Sequence, residues 1–186
     1  KKRWYRRISL NAVGWVLVLG FLGWRVAPQL SAALGLGGAA EEAPSYSVVT
    51  LDGETVTKAD LLGKVVLVNF WATWCPPCRV EMPGFQRVYD DKRDQGFVVL
   101  GLSTDQVSTD VVQRFLDERD LTFPVAMASG TVVRDFGGAR VLPTSVLIDR
   151  QGRIRQRVTG IFAEPTLRMA VNRLLDEPNP FETGER

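Results

Sequence analysis

The sequence predicts an α/β domain with a mixed sheet, preceded by an apolar segment near the amino terminus. Two patterns predict the domain: strand-length apolar runs alternate with segments of helical periodicity, and a strand–turn–strand pattern followed by a helix ends the domain. The chain has 186 residues, of which 45% are hydrophobic. This length suits one domain with a short appendage, and this composition can supply a core.

The amino-terminal segment has the pattern of a membrane anchor. Basic residues dominate positions 1–7, and positions 8–24 carry no charge. As a helix, the apolar part would span about 25 Å, and Trp4 and Trp24 would lie about 30 Å apart, as two interfacial aromatic belts require. The basic flank predicts a single-pass segment with a cytoplasmic amino terminus and the rest of the chain on the other side of the membrane. A cleaved signal peptide is the alternative, with 31–33 as a candidate cleavage site, and it exports the domain as well.

Composition divides the chain into four segments. We expect a basic tip and membrane anchor over residues 1–27, or a signal peptide in their place, followed by a flexible Gly/Ala-rich linker over 28–43. The globular domain then covers 44–177, and a loose polar tail covers 178–186.

The domain elements follow from local patterns taken in order. Val65–Trp71 is almost entirely apolar, which indicates a strand buried on both faces. Pro76 marks the start of the next helix, because proline is tolerated in the first helical turn. The other strands are predicted from β-branched runs bounded by turn residues and the other helices from one-sided apolar spacing. The predicted strands are 47–51, 55–57, 65–71, 97–102, 123–127, 144–148 and 154–158, and the predicted helical segments are 59–62, 76–93, 111–119, 131–136 and 165–175.

Residue counts exclude several function classes. The chain has no histidine, which excludes Ser-His and Cys-His triads and histidine-ligated zinc, copper or haem. Its two cysteines cannot build a four-cysteine metal site or a disulfide scaffold. The formal net charge is +2, and the basic excess lies in the first seven residues. Nucleic acid is therefore not an expected partner, and neither a metal nor a cofactor is expected.

The two cysteines, Cys75 and Cys78, follow a buried strand and begin a helix. Free backbone N–H groups and the positive helix end would stabilise the thiolate of Cys75. Cys75 is expected to be the exposed cysteine, and its thiolate would attack a partner disulfide. Cys78, which is expected to be buried, would resolve the mixed disulfide. Pro76 and Pro77 stiffen the intervening loop, and Trp74 is a candidate for the substrate surface or for the rim of the core. A structural disulfide or a pair of inert core thiols is the alternative.

The segment VLVNFWATWCPPCRVEMP, residues 66–83, resembles the active-site segment of thioredoxin-fold proteins, in particular the TlpA/ResA/CcmG group of membrane-anchored thiol-disulfide oxidoreductases. Similar motifs lie at 51–53, 63–64, 141–149 and 152, so that the resemblance covers about 44–176. It implies a thioredoxin-like fold: a central mixed sheet flanked by helices, with an N-terminal hairpin and a central insertion over 109–127.

The resemblance also implies roles for single residues. Pro143 corresponds to a cis-proline that faces the disulfide, whereas the sequence alone indicates only a proline at a strand start. Asn69 stands where ordinary thioredoxins have a buried aspartate; it cannot accept a proton, so that we expect it to support the site structurally. Glu81 is expected to handle the protons of the cysteine pair with a raised pKa, the alternative being a solvated helix residue. Asp105 is expected to cap a loop.

By resemblance, the chain is expected to be an extracytoplasmic reductant, anchored by a single pass in a bacterial inner membrane with its catalytic domain on the periplasmic side. Its substrates would be thiols and disulfides of exported proteins, such as apocytochrome c during cytochrome c maturation or a copper-assembly protein, and its electrons would come from a DsbD- or CcdA-like membrane carrier. A disulfide oxidant or isomerase of the same fold shares every motif and differs in redox potential. A Cu(I) metallochaperone that uses both thiols is a third hypothesis, weakened by the presence of only three methionines. A peroxidase is weaker still, because no Pro-x-x-x-Thr-x-x-Cys segment is present.

Overall fold

The computed structural model describes residues 41–138 and 140–181. Their strands are Glu41–Glu42 (β1), Ser47–Val49 (β2), Thr55–Thr57 (β3), Val65–Trp71 (β4), Phe97–Ser103 (β5), Val125–Met127 (β6), Thr144–Ile148 (β7) and Arg153–Thr159 (β8). Their α-helices are Pro76–Lys92 (α1), Thr109–Asp117 (α2), Gly130–Asp135 (α3) and Glu164–Leu175 (α4). Short 3-10 turns occupy Ala59–Leu61 and Arg93–Gln95.

Six of these strands form one mixed sheet in the order β1-β8-β7-β4-β5-β6, while β2 and β3 form a separate hairpin. The pairs β4–β5 and β5–β6 are parallel, and β4–β7 and β7–β8 are antiparallel. The predicted mixed sheet, hairpin and α/β class are therefore confirmed. This topology brings the carboxyl ends of β4, β5 and β8 and the amino end of β7 to one edge of the sheet. The cysteine motif follows β4 at that edge.

The central strand β4 is buried along its whole length, as its apolar run predicted. Successive side chains of a strand point to opposite faces, so that β4 supplies two separate core clusters. Leu67 and Trp71 pack with Met82 and Phe85 of α1 on one face. Val66, Val68 and Phe70 belong to the cluster on the other face. Burial of both faces fixes the end of β4 and so the position of the loop that carries the cysteines.

The sheet begins earlier than the expected domain start at residue 44. Glu41 and Glu42 form β1 and pair with Ile154 and Arg153 of β8. Both glutamates are exposed, and Glu42 forms an ion pair with Lys58. A strand that is built from exposed acidic residues at a sheet edge has no apolar pattern, which is why the sequence did not predict it.

Other boundaries shift by one or two residues, and the strand expected over 123–127 begins only at Val125. The predicted membrane anchor and linker up to residue 40 lie outside the described residues. Among the helices of the described ranges, none is both long and apolar enough to cross a membrane. In the carboxyl-terminal segment, Asn179 donates a hydrogen bond to the Gly63 carbonyl at 3.4 Å.

Candidate active site

Cys75 and Cys78 form a disulfide at the start of α1. Cys75 is the N-cap residue, as expected, and its sulfur accepts a hydrogen bond from the Cys78 backbone N–H at 3.3 Å. Pro76 and Pro77 occupy the first positions of α1 and have no N–H. The amide of Cys78 is therefore the first backbone donor of the helix, and it points at the Cys75 sulfur. This geometry would favour a thiolate on Cys75 after reduction.

Cys78 is buried as expected, whereas Cys75 is more deeply buried than expected. Cys75 is 3% exposed and Cys78 is fully buried. The expectation of an exposed Cys75 is therefore wrong for the disulfide form, although the order of the two exposures is right. Both sulfurs belong to the core cluster that contains Met82 and Phe85, so that apolar side chains surround all but a small part of Cys75. In the disulfide form, little of Cys75 is therefore accessible to a partner sulfur.

The loop between β4 and α1 is held by one buried carboxylate. Asp105 accepts hydrogen bonds from the Thr73 backbone N–H at 2.8 Å and from the Thr73 hydroxyl at 2.7 Å. It also accepts a hydrogen bond from the Ser103 hydroxyl at 2.7 Å. The expectation that Asp105 caps a loop is confirmed. Next to this anchor Trp74 is 67% exposed, whereas Trp71 is fully buried; Trp74 thus lies on the rim of the site and Trp71 in the core.

The segment before β7 faces the same edge of the sheet. The Leu142–Pro143 peptide bond is cis, as the resemblance implied. Thr144 pairs with Phe70 of β4, so that Pro143 lies beside the end of β4, from which the cysteine loop departs. The Pro143 carbonyl accepts a hydrogen bond from the Gly160 N–H at 2.8 Å. Beyond this bond Ile161 is about half exposed, and with Trp74 it gives the edge an apolar rim.

Glu81 is buried one helical turn after Cys78, with 4% of its surface exposed. One carboxylate oxygen accepts a hydrogen bond from Asn69 Nδ2 at 3.0 Å, and the other accepts one from the Phe162 backbone N–H at 2.9 Å. Burial raises the pKa of Glu81 to about 7, and the hydrogen bonds from Phe162 and Asn69 oppose this rise. The expected raised pKa is confirmed, and Glu81 is not a solvated helix residue.

Two partners in this network were not predicted from the sequence. Asn69 also donates a hydrogen bond to the Ser145 hydroxyl at 3.0 Å, and Ser145 is fully buried. A serine inside the apolar run of β7 was a signal that could have identified it. The backbone N–H of Phe162 left no signal, because its contact with Glu81 joins positions 81 residues apart.

The site therefore combines a redox-active pair of sulfurs with a buried carboxyl group that can change its protonation state near neutral pH. Reduction of the disulfide adds two electrons and two protons to Cys75 and Cys78. Glu81 follows Cys78 by three positions, a spacing that places both on one face of α1. The arrangement can thus support thiol-disulfide exchange with a local proton donor and acceptor.

Comparison with known proteins gives three concordant similarities. The model of the AhpC/TSA family matches residues 39–157. The thiol-disulfide oxidoreductase ResA of Halalkalibacterium halodurans is 35% identical over 164 residues, which cover 88% of this chain and 90% of that protein. The thioredoxin-like protein YneN of Bacillus subtilis is 32% identical over 165 residues, which cover 88% and 93%.

Solved structures agree with these similarities. A thiol:disulfide interchange protein of the thioredoxin family from Chlorobium tepidum superimposes with a TM-score of 0.69 at 33% sequence identity, covering 75% of this chain and 99% of that one. A secreted thiol-disulfide isomerase from Corynebacterium glutamicum superimposes with a TM-score of 0.68 at 26% identity, covering 73% and 86%.

Proposed function

This chain belongs to the AhpC/TSA family and is a thiol-disulfide oxidoreductase of the ResA type, and from this premise we propose that it reduces disulfides of exported proteins outside the cytoplasm. The observation that carries the proposal is the buried Glu81, which lies three positions after the fully buried Cys78. Burial raises the pKa of Glu81 to about 7. A reductant must deprotonate its buried second thiol to release the product, and Glu81 is a base suited to that step.

The proposed reaction uses each cysteine once. The thiolate of Cys75 attacks one sulfur of the partner disulfide, forms a mixed disulfide and expels the other partner sulfur as a thiolate. Glu81 then accepts the proton of Cys78, and the Cys78 thiolate attacks Cys75. This second attack forms the Cys75–Cys78 disulfide and releases the second partner sulfur. Two electrons thus pass from the enzyme dithiol to the partner, which leaves as a dithiol after taking up two protons.

The rim of the site supports a polypeptide partner. The cis Leu142–Pro143 bond lies at the start of β7, beside the end of β4 from which the cysteine loop departs. An extended partner segment could lie along this backbone. Trp74 and Ile161 would provide apolar contacts on either side. Haem-attachment cysteines of apocytochrome c or a copper-assembly protein are the proposed substrates, and a DsbD- or CcdA-like membrane protein is the proposed source of electrons.

The proposed location rests on the amino-terminal pattern of basic and then apolar residues. We propose a single-pass anchor in the bacterial inner membrane with the catalytic domain on the periplasmic side. Protease added to intact spheroplasts should then digest the domain. Protection of the domain until the membrane is lysed would contradict this location.

Trapping with Cys78→Ser tests the exchange mechanism. This variant should hold its natural partner as a mixed disulfide on Cys75, which mass spectrometry of the exported fraction can identify. Cys75→Ser is the matched control and should trap nothing. If Cys78→Ser also traps nothing, the exchange mechanism is wrong.

The reduction potential tests the direction of electron flow. Equilibration with a glutathione redox buffer should give a potential well below about −120 mV, the value of the strong oxidant DsbA, and closer to about −270 mV, the value of thioredoxin. A potential near that of DsbA would overturn the assignment as a reductant and leave an oxidant of the same fold.

A further inference from the structure

We propose that Ser145 is a positioning residue that fixes the Asn69 amide against Glu81 and thereby sets the proton affinity of this carboxyl group. The inference deepens the proposed function, because it rests on Glu81 as the group that handles protons for the cysteine pair. Within the described residues, no hydrogen bond joins the Ser145 side chain to either sulfur. Ser145 acts through Asn69.

The geometry of the three side chains carries the inference. Asn69 Nδ2 lies 3.0 Å from Glu81 Oε1 and 3.0 Å from Ser145 Oγ. An amide nitrogen has two hydrogens, and each has one acceptor here. Asn69 is 1% exposed and Ser145 is fully buried, so that water cannot replace either bond without opening the core.

The sheet holds the two partners in register. Asn69 and Ser145 are directly paired residues of the antiparallel strands β4 and β7, and side chains of paired residues lie on the same face and within reach of each other. Both strands are central in the sheet. Ser145 is therefore held in place by the central strands of the sheet, and its hydroxyl restrains the rotation of the Asn69 amide about its last side-chain bond.

The restraint matters because an amide presents a donor on one side and an acceptor on the other. With the nitrogen towards Glu81, Asn69 stabilises the ionised carboxylate, which accepts but cannot donate. An amide free to rotate would spend less time in this orientation, and the ionised form would lose part of its stabilisation. Loss of the Ser145 hydroxyl should therefore raise the pKa of Glu81.

Burial is the largest cause of the raised pKa of Glu81, and the hydrogen bonds from the Phe162 backbone and then from Asn69 oppose it. On α1, Cys78 precedes Glu81 by three positions but is disulfide-bonded and does not titrate. From the segment after β8, the Phe162 backbone N–H faces the carboxylate. No described charged side chain contributes to the pKa shift of Glu81. A change in the Asn69 bond is thus not masked by a nearby charge.

A double-mutant cycle tests the inference, with the Glu81 carboxyl titration followed by carbon NMR in the full-length oxidised protein. Asn69→Ala should raise the pKa of Glu81 by about one pH unit, a tenfold change in proton affinity. Ser145→Ala should raise it by roughly a third to a half of that amount, and Ser145→Thr, which keeps the hydroxyl, should leave it near the wild-type value. In the Asn69→Ala background, Ser145→Ala should add no further shift.

Ser103→Ala is the matched control, since Ser103 is also fully buried but bonds Asp105 rather than Asn69. It should leave the Glu81 titration unchanged. A Ser145→Ala titration that overlays the wild type, or an equal shift with and without Asn69, would overturn the inference. This readout needs no substrate, so that its failure is distinct from failure of the proposed function, which the Cys78→Ser trap reports separately.

Discussion

Replacing Glu81 by glutamine isolates the energetic cost of its burial. The ordinary pKa of the group is 4.5, and burial raises it to about 7 in the folded protein. Between these values the native state keeps a proton that the unfolded chain has released, so that stability falls as pH rises. The loss of stability begins near the pKa of the group in the unfolded chain and is complete above its pKa in the folded protein. A difference of this size corresponds to about 3 kcal/mol of unfolding free energy.

Glutamine keeps the shape of the side chain but cannot ionise. Its amide nitrogen must face one of the two donors, Asn69 or Phe162, and the lost hydrogen bond should cost about 1 kcal/mol at every pH. The unfolding free energy of the wild type relative to Glu81→Gln should therefore fall by about 3 kcal/mol between about pH 4 and pH 8. Guanidinium unfolding of the two oxidised proteins across this range measures the difference.

Glu164→Gln provides a control of opposite sign. Hydrogen bonds from Arg87 and Arg168 lower the pKa of Glu164, so that its contribution is present above the unfolded pKa and is lost as pH falls. If the curves for the wild type and Glu81→Gln run parallel to within about 0.5 kcal/mol, the ionised form of Glu81 is not penalised by burial. The assignment of Glu81 as the proton-handling group would then lose its physical basis.

Two further predictions compare matched pairs of residues. Trp71→Ala should destabilise the fold by about 3–5 kcal/mol because Trp71 is fully buried. Trp74→Ala should change stability by less than about 0.5 kcal/mol but slow exchange with a protein disulfide about tenfold. An equal loss of rate with a small disulfide would refute a docking role for Trp74. Gly101→Ala should cost about 1–3 kcal/mol, since its Cβ would lie 3.0 Å from Val125 and 3.1 Å from Trp71 Nε1. Gly130→Ala has open space and should be neutral or slightly stabilising, so that thermal unfolding in which Gly130→Ala is as damaging as Gly101→Ala would contradict the steric argument.

The elements that were predicted correctly are those whose signal is local. The apolar run Val65–Trp71 predicted a doubly buried strand, and the proline after Cys75 predicted the start of α1 at Pro76. The strand Glu41–Glu42 was missed because backbone pairing with β8 specifies it, rather than the nature of its side chains. The burial of Cys75 was also missed, because it depends on core residues contributed by distant elements.

The same distinction separates the position of Glu81 from its chemistry. Its place on α1, three residues after Cys78, follows from helical spacing and could be read from the sequence. Its pKa is raised first by burial, and the hydrogen bonds that oppose this rise come from Phe162 and Asn69, which are 81 and 12 positions away. A homologous chain with the same cysteine motif and the same glutamate, but an apolar residue in place of Asn69, would bury the carboxyl group with one donor fewer. Its carboxyl pKa should then be higher and its buried thiol slower to deprotonate at neutral pH, so that the motif alone does not determine the rate of the second exchange step.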